Sequence, residues 1–174
     1  NYAEHQVPNY DKSLGTLEYR FSNAGVQQMA YLALALSEQN ITKWWTVTLN
    51  ANYMFTHFRA YPNPNLLAFN DYSKSSQSFN GYASTTFYLP KEFKFSIDGW
   101  GMTPVTAGYF TVAGMWSLNA SISKSFLDGR ANLTLRVNDI FKSMNQNLSL
   151  WDGDVETMKM IELTSNRGIS LGFT

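Results

Sequence analysis

The chain has 174 residues, of which 44% are apolar and 16% aromatic, while charged residues reach only 15%, well under the roughly 25% usual for soluble domains. Lys+Arg and Asp+Glu stand at 13 each and cysteine is absent, which excludes an electrostatic claim on nucleic acid, a disulfide framework and thiolate chemistry. Mean hydropathy is nevertheless negative, and no stretch approaches the roughly 20 apolar residues of a membrane helix, so the apolar residues have to alternate with polar ones.

The opening Asn1-Tyr2-Ala3-Glu4-His5 has neither the basic start nor the apolar core of a signal peptide. The expectation is a leader already removed or a longer parent chain, with 1–13 a loop or irregular lead-in. Thr16 to Ser22 reads as a first strand. Ala30, Leu32, Leu34 and Leu36 then alternate with Tyr31, Ala33, Ala35 and Ser37. The clearest segment runs from Lys43 to Ala60: Trp45, Val47, Leu49, Ala51, Tyr53 and Phe55 alternate with Thr46, Thr48, Asn50, Asn52, Met54 and Thr56. Period two over that length is a strand, and a helical period does not fit it. Aromatics at its two ends bracket small aliphatics, as two aromatic girdles bracket the apolar band of a transmembrane strand.

Further along, Ser76 to Leu89 is a weaker strand, and Phe93, Phe95 and Ile97 alternate with Lys94, Ser96 and Asp98. Phe110 to Phe126 reads as one long strand, with Trp116, Leu118, Ala120 and Ile122 on one side and Ser117, Asn119, Ser121 and Ser123 on the other. Leu133, Leu135 and Val137 alternate with Asn132, Thr134, Arg136 and Asn138, and the last strand carries Ile169, Leu171 and Phe173. Short links at Gln39-Asn40-Ile41-Thr42, Pro90-Lys91 and Leu127-Asp128-Gly129-Arg130 alternate with long ones at Tyr61–Ser75, Thr103–Gly108 and Lys142 to Ser165. Tight turns on one rim and long loops on the other match outer-membrane barrels, whose short turns are periplasmic.

These patterns predict an all-β chain, an antiparallel up-and-down transmembrane β-barrel with about eight strands in view. It forms one segment, 1–174. Trp45, Val47, Leu49, Ala51, Leu118, Ile122, Leu133, Leu135 and Val137 are expected to face lipid. Thr48, Asn50, Asn119, Asn132, Arg136 and Asn138 are expected to face the lumen. The polar faces are Thr, Ser and Asn with few charges, which suits a crowded, hydrated interior. A soluble barrel or sandwich normally carries many Lys and Glu there.

No catalytic set is expected. His5 and His57 are far apart with no partner at metal-ligand spacing, and Asp152-Gly153-Asp154 with Glu156 lacks EF-hand spacing. Neither a metal nor another cofactor is implied, and no Ser–His–Asp set or phosphate loop can be assembled. Arg136 with Asp139, and Lys94 with Asp98, read as interior polar networks or strand-end ion pairs before substrate contacts. The glycosylation-type triplets at Asn40, Asn119, Asn132 and Asn147 read as coincidences of an Asn/Ser/Thr-rich face. Tyr61, Phe69, Tyr72 and Trp151 are candidate loop aromatics.

Ile41-Thr42-Lys43-Trp44-Trp45, Tyr88-Leu89-Pro90-Lys91-Glu92-Phe93, Ser121-Ile122-Ser123-Lys124-Ser125-Phe126-Leu127 and Arg136-Val137-Asn138-Asp139-Ile140-Phe141 follow one another in order. Over Leu14 to Thr174 the chain resembles the C-terminal barrel segment of TonB-dependent receptors and related outer-membrane β-barrel proteins of Bacteroidota. The resemblance implies an importer of a bulky nutrient (a metal chelate, glycan or peptide) with a 22-stranded wall, so the strands in view are expected to be part of a larger barrel, with no plug domain among them. Its partners would be outer-membrane lipid, the rest of the barrel, a plug domain and, through an N-terminal part, TonB; nucleic acid is not among them. The end at Gly172-Phe173-Thr174 departs from the family's closing tyrosine–aromatic pattern. Two alternatives stand beside this one: a self-contained eight-stranded structural or adhesive outer-membrane protein, and a soluble ligand-binding barrel. The transported substrate is not legible.

Overall fold

The structure is a computed structural model that describes residues 2–11, 16–60, 73–108, 110–144, 146–152, 155–162 and 167–174. Its strands are β1 (Tyr2–Asp11), β2 (Thr16–Thr42), β3 (Trp45–Ala60), β4 (Ser73–Leu89), β5 (Phe93–Met102), β6 (Val105–Ala107), β7 (Phe110–Val112), β8 (Met115–Phe126), β9 (Ala131–Asn138), β10 (Gln146–Asp152), β11 (Val155–Glu162) and β12 (Gly168–Phe173). Every pairing is antiparallel. Eight strands form one sheet in the order β1-β2-β3-β4-β5-β8-β9-β12, and β11-β10-β7-β6 form a second, four-stranded sheet.

The large sheet is open and not closed into a barrel, which corrects the expected up-and-down transmembrane β-barrel. β1 and β12 are its two edges, and no register joins them. Strand direction supplies a physical reason. β1 covers β2 only from Thr16 to Val26, so beyond that point the edge of β2 is free among the described residues. That stretch of β2 and β12 both run toward the same rim. Joining them directly would make a parallel pair in a sheet that is otherwise antiparallel, and antiparallel neighbours come from strands of opposite direction.

Three tight turns share one rim, the turn rim: Lys43-Trp44, Pro90 to Glu92 and Leu127 to Arg130. Lys91, Glu92, Leu127 and Asp128 all take positive φ there, as does Gly129 at 84°, and a left-handed conformation at the closing position is what glycine supplies at least cost. The first turn falls later than the sequence suggests. Gln39 to Thr42 is strand, its register shifting between Leu36 and Gln39 and again between Asn40 and Thr42, with Glu38 at φ 35°. Such bulges absorb an extra residue without ending the strand, and the turn-forming composition of Gln39–Asn40 reflects them.

At the opposite rim, the loop rim, two of the long links are not loops. The β5–β8 link folds into the β6–β7 hairpin and the β9–β12 link into β10–β11; β7 pairs with β10 to join them. Phe110 to Phe126 is therefore broken at Ala113-Gly114. A Cβ on Gly114 would lie 2.9 Å from the Met102 carbonyl oxygen and 3.1 Å from Pro104 Cδ, so only glycine lets β8 leave the hairpin beside the end of β5. Residues 2–11, expected as a lead-in, form an edge strand. The link at 61–72, with Tyr61, Phe69 and Tyr72, lies outside the described residues.

Candidate functional site

Period-two alternation and the register divide the large sheet into two chemically different faces. Leu49 of β3 faces Leu36 of β2 on one side and Ala83 of β4 on the other, and the row continues through Gly99 and Leu118. Trp45, Phe87, Phe95, Ile122, Leu135 and Leu171 form a second row, and Val47, Thr85, Ile97, Ala120, Val137 and Ile169 a third. All nine residues expected on the apolar side, Leu133 included, thus share one face. Thr48, Asn50, Asn119, Asn132, Arg136 and Asn138 share the other. The register establishes the faces; what each face meets is a separate question.

The apolar face is uncovered. Leu32 is 70% exposed, Ile169 76% and Phe173 74%, whereas the buried apolar residues among those described are Phe58 and Ala60. A water-soluble sheet hides one face against a core or a second layer, and a contiguous exposed apolar surface of this extent marks an interaction with membrane or partner. Its ends are aromatic. Near the turn rim Trp44 and Trp45 stack at 6.4 Å, Trp45 on Phe87 at 6.1 Å and Phe87 on Phe95 at 6.4 Å, and the Trp45 indole donates to Thr85 Oγ1 at 2.7 Å. Toward the loop rim Tyr53 meets Phe79 at 4.9 Å, and Trp116 meets Phe141 at 5.6 Å. Between them, small residues at Ala51, Gly81, Ala83, Gly99 and Gly101 leave two shallow grooves of about 570 and 550 Å³. The glycines also let strands approach closely: a Cβ on Gly81 would sit 2.9 Å from the Asn50 carbonyl oxygen.

The polar face is a hydrogen-bonded network. Arg136 Nη2 donates to Asp98 Oδ2 at 2.9 Å, and Asn119 Nδ2 donates to the same oxygen at 2.7 Å. Arg136 Nε donates to Asn138 Oδ1 at 2.7 Å. Higher on the face the Tyr31 hydroxyl donates to Asn52 Oδ1 at 2.7 Å, and Asn52 Nδ2 donates to Asn80 Oδ1 at 2.8 Å. Hydroxyl pairs at 2.9 Å join Thr86 to Ser96 and Ser123 to Thr134. Asn132 Oδ1 is buried without a partner. Neither Thr48 nor Asn50 joins the charged cluster.

Both charge pairings considered from sequence are re-sorted by the structure. Asp98 takes Arg136, not Lys94, which lies 5.7 Å from the Tyr88 ring. Asp139 does not meet Arg136: it is buried at the end of β9 and organises the next turn. Its Oδ1 accepts from the Ser143 amide at 2.9 Å and hydroxyl at 3.0 Å, and the Ser143 hydroxyl also reaches the Trp116 carbonyl at 2.7 Å. Burial alone pushes the Asp139 carboxyl up, but the Ser143 and Met144 donors and the charge of Arg167 outweigh it and hold the carboxyl below its ordinary value. Period two finds each of these side chains' faces but cannot find their partners, because cross-strand register is not written in one strand.

Among the described residues no group of His, Asp and Glu could hold a metal ion. His57 Nδ1 lies 2.9 Å from Ser75 Oγ. The side chains of His5, Asp152, Asp154, Glu156 and Trp151 are outside the described set. No helix among the described residues is long and apolar enough to cross a membrane, which leaves strands that cross one unaddressed.

Over residues 1–174 the sequence matches the model of the outer membrane protein beta-barrel family, and the chain belongs to that family. Membership places it in the bacterial outer membrane and supports a role that is not enzymatic. The match is to the general family and does not reach TonB-dependent receptors or Bacteroidota in particular. No curated protein and no solved structure matches the chain.

Proposed function

We propose that this outer-membrane protein is a structural element of the bilayer: a sheet whose apolar face lies against lipid and whose strands carry a loop-rim sheet outward, for a structural or adhesive role. The observation that carries the reading is the continuous apolar face from β2 to β12, uncovered by any described segment and backed by a hydrogen-bonded polar face. From Trp45 to Phe55, β3 presents apolar residues over eleven positions, and a strand tilted across the hydrocarbon core needs roughly 9–11. Covering such a face with water costs about 25 cal/mol per Å²; covering it with acyl chains does not. A turn rim directed to the periplasm is part of this reading, by analogy with barrels whose short turns lie there.

Brominated acyl chains test it. Trp45 and Trp116 lie on the apolar face, and Trp100 pairs with Tyr82 on the polar one. In vesicles of bromine-labelled phospholipid, single-tryptophan variants retaining Trp45 or Trp116 should be quenched and one retaining Trp100 should not. Equal quenching of all three, or quenching of Trp100 alone, defeats the proposal. A second reading, the wall of a TonB-dependent importer with a plug and TonB as partners, is supported by the resemblance in Ser121–Phe141 and by the charged cluster on the polar face.

A further inference from the structure

On β3, β4, β5, β8, β9 and β12 the apolar face carries no Asp or Glu at any register position. Its basic residues stand near the strand ends. His57 and Arg59 lie at the loop end of β3, and Lys124 lies at the turn end of β8, two residues before the strand stops. In register, Lys124 stands between Phe93 of β5 and Leu133 of β9. Its ammonium is 4.6 Å from the Phe93 ring centroid and 5.1 Å from that of Phe126. Two rings therefore fix the charge on the apolar side instead of leaving it to swing round the rim. The carboxylates of the adjoining turns on that rim, Glu92 and Asp128, form no ion pair with it; the ion pair among the described residues is that of Asp98 and Arg136.

A lysine aimed at lipid is tolerated at a depth where its head reaches the interface. Cation–π contact satisfies the faces of the ammonium that touch the rings, but an ammonium has three donors, and those directed away from the sheet have no acceptor among the described residues. On the reading that this face meets lipid, the anions at that depth are headgroup phosphates. We propose that Lys124, clasped by Phe93 and Phe126, is a binding site for the phosphate of a membrane phospholipid in the leaflet at the turn rim.

The test uses the full chain, labelled with ¹⁵N on lysine side chains and reconstituted in phosphatidylglycerol vesicles, with ¹⁵N–³¹P dephasing measured by solid-state NMR. Lys124→Arg keeps the charge and identifies the Lys124 resonance by its disappearance. The expected result is a Lys124 signal dephased by lipid phosphorus. A Lys124 signal that is not dephased, in vesicles where brominated chains still quench Trp45 and Trp116, overturns the phosphate site and leaves the lipid-facing reading standing. Loss of that quenching overturns both. A third arm uses phosphorus-free detergent with inorganic phosphate. Dephasing there would make the ligand a free anion and overturn the lipid assignment; its absence, with dephasing in vesicles, supports it.

Discussion

Leu49→Arg places a charge in the middle of the apolar face, and its cost separates a lipid-facing surface from a wet one. Leu49 lies midway between Trp45 and Tyr53, with Leu36 and Ala83 beside it. It lies more than two residues from either rim. In a bilayer, arginine at the midplane of a β-sheet wall costs about 2–4 kcal/mol. On a solvated surface the same change falls within about 0.5 kcal/mol. Asn50→Arg, one residue on, faces the polar side and should stay within about 0.5 kcal/mol in either medium. Urea unfolding of the protein in phospholipid vesicles reads the difference. With a slope of about 2 kcal/mol/M, the Leu49→Arg midpoint should fall by roughly 1–2 M. Equal midpoints for the two variants, or a larger loss for Asn50→Arg, would refute the assignment of faces.

Gly81→Ala should destabilise by about 1–3 kcal/mol, since its Cβ would press on the Asn50 carbonyl at 2.9 Å; an unchanged unfolding midpoint would show that the strands yield. Arg136→Met leaves Asp98, whose side chain is 13% exposed, with Asn119 as its remaining partner; a loss of about 1–2 kcal/mol is expected, and Asp98→Asn in the same chain should recover part of it. The Asp139 carboxyl is held below its ordinary value of 3.8, so its contribution is present above that pH and is lost as pH falls through the lower, folded value. Protection of the Ser143 amide relative to its intrinsic exchange rate should therefore fall on acidification in wild type, and Asp139→Asn should flatten that dependence. The chain has no cysteine, so single cysteines report topology: in intact cells an impermeant maleimide should reach Ala107→Cys and spare Asp128→Cys, and the reverse pattern would invert the orientation.

The faces were legible because period two is local. Each strand of β3, β5, β8 and β9 declares its apolar side within itself, and one register then aligns all of them. What could not be read depends on other strands. Asp98 and Arg136 are 38 residues apart and meet only because β8 inserts between β5 and β9. The strands of the β6–β7 and β10–β11 hairpins are short, so β6, β10 and β11 resemble loops until they pair, and β7 resembles the start of β8. Gly114 was the one local sign that Phe110–Phe126 is not a single strand. Gln39 to Thr42 misled in the opposite sense, because bulge and turn draw on the same residue types.

Closure is a matter of direction, and direction is countable once the order is known. Seven strands, β2, β3, β4, β5, β8, β9 and β12, alternate across the apolar face. An odd number leaves both edges running the same way, here toward the turn rim. Strands that complete the ladder beside Gln27–Thr42 of β2 and beside β12 must therefore run toward the loop rim at each edge. A second copy inserted in the same sense offers only edges that run toward the turn rim, so it cannot supply an antiparallel partner. Unpaired backbone groups cost several kcal/mol each in hydrocarbon, so these two edges set the condition under which the sheet is stable in a bilayer. The residues on them, Leu32, Leu34 and Leu36 on β2 and Ile169, Leu171 and Phe173 on β12, already align with the apolar rows of their neighbours. A covering strand must therefore match that alternation and run opposite to both edges.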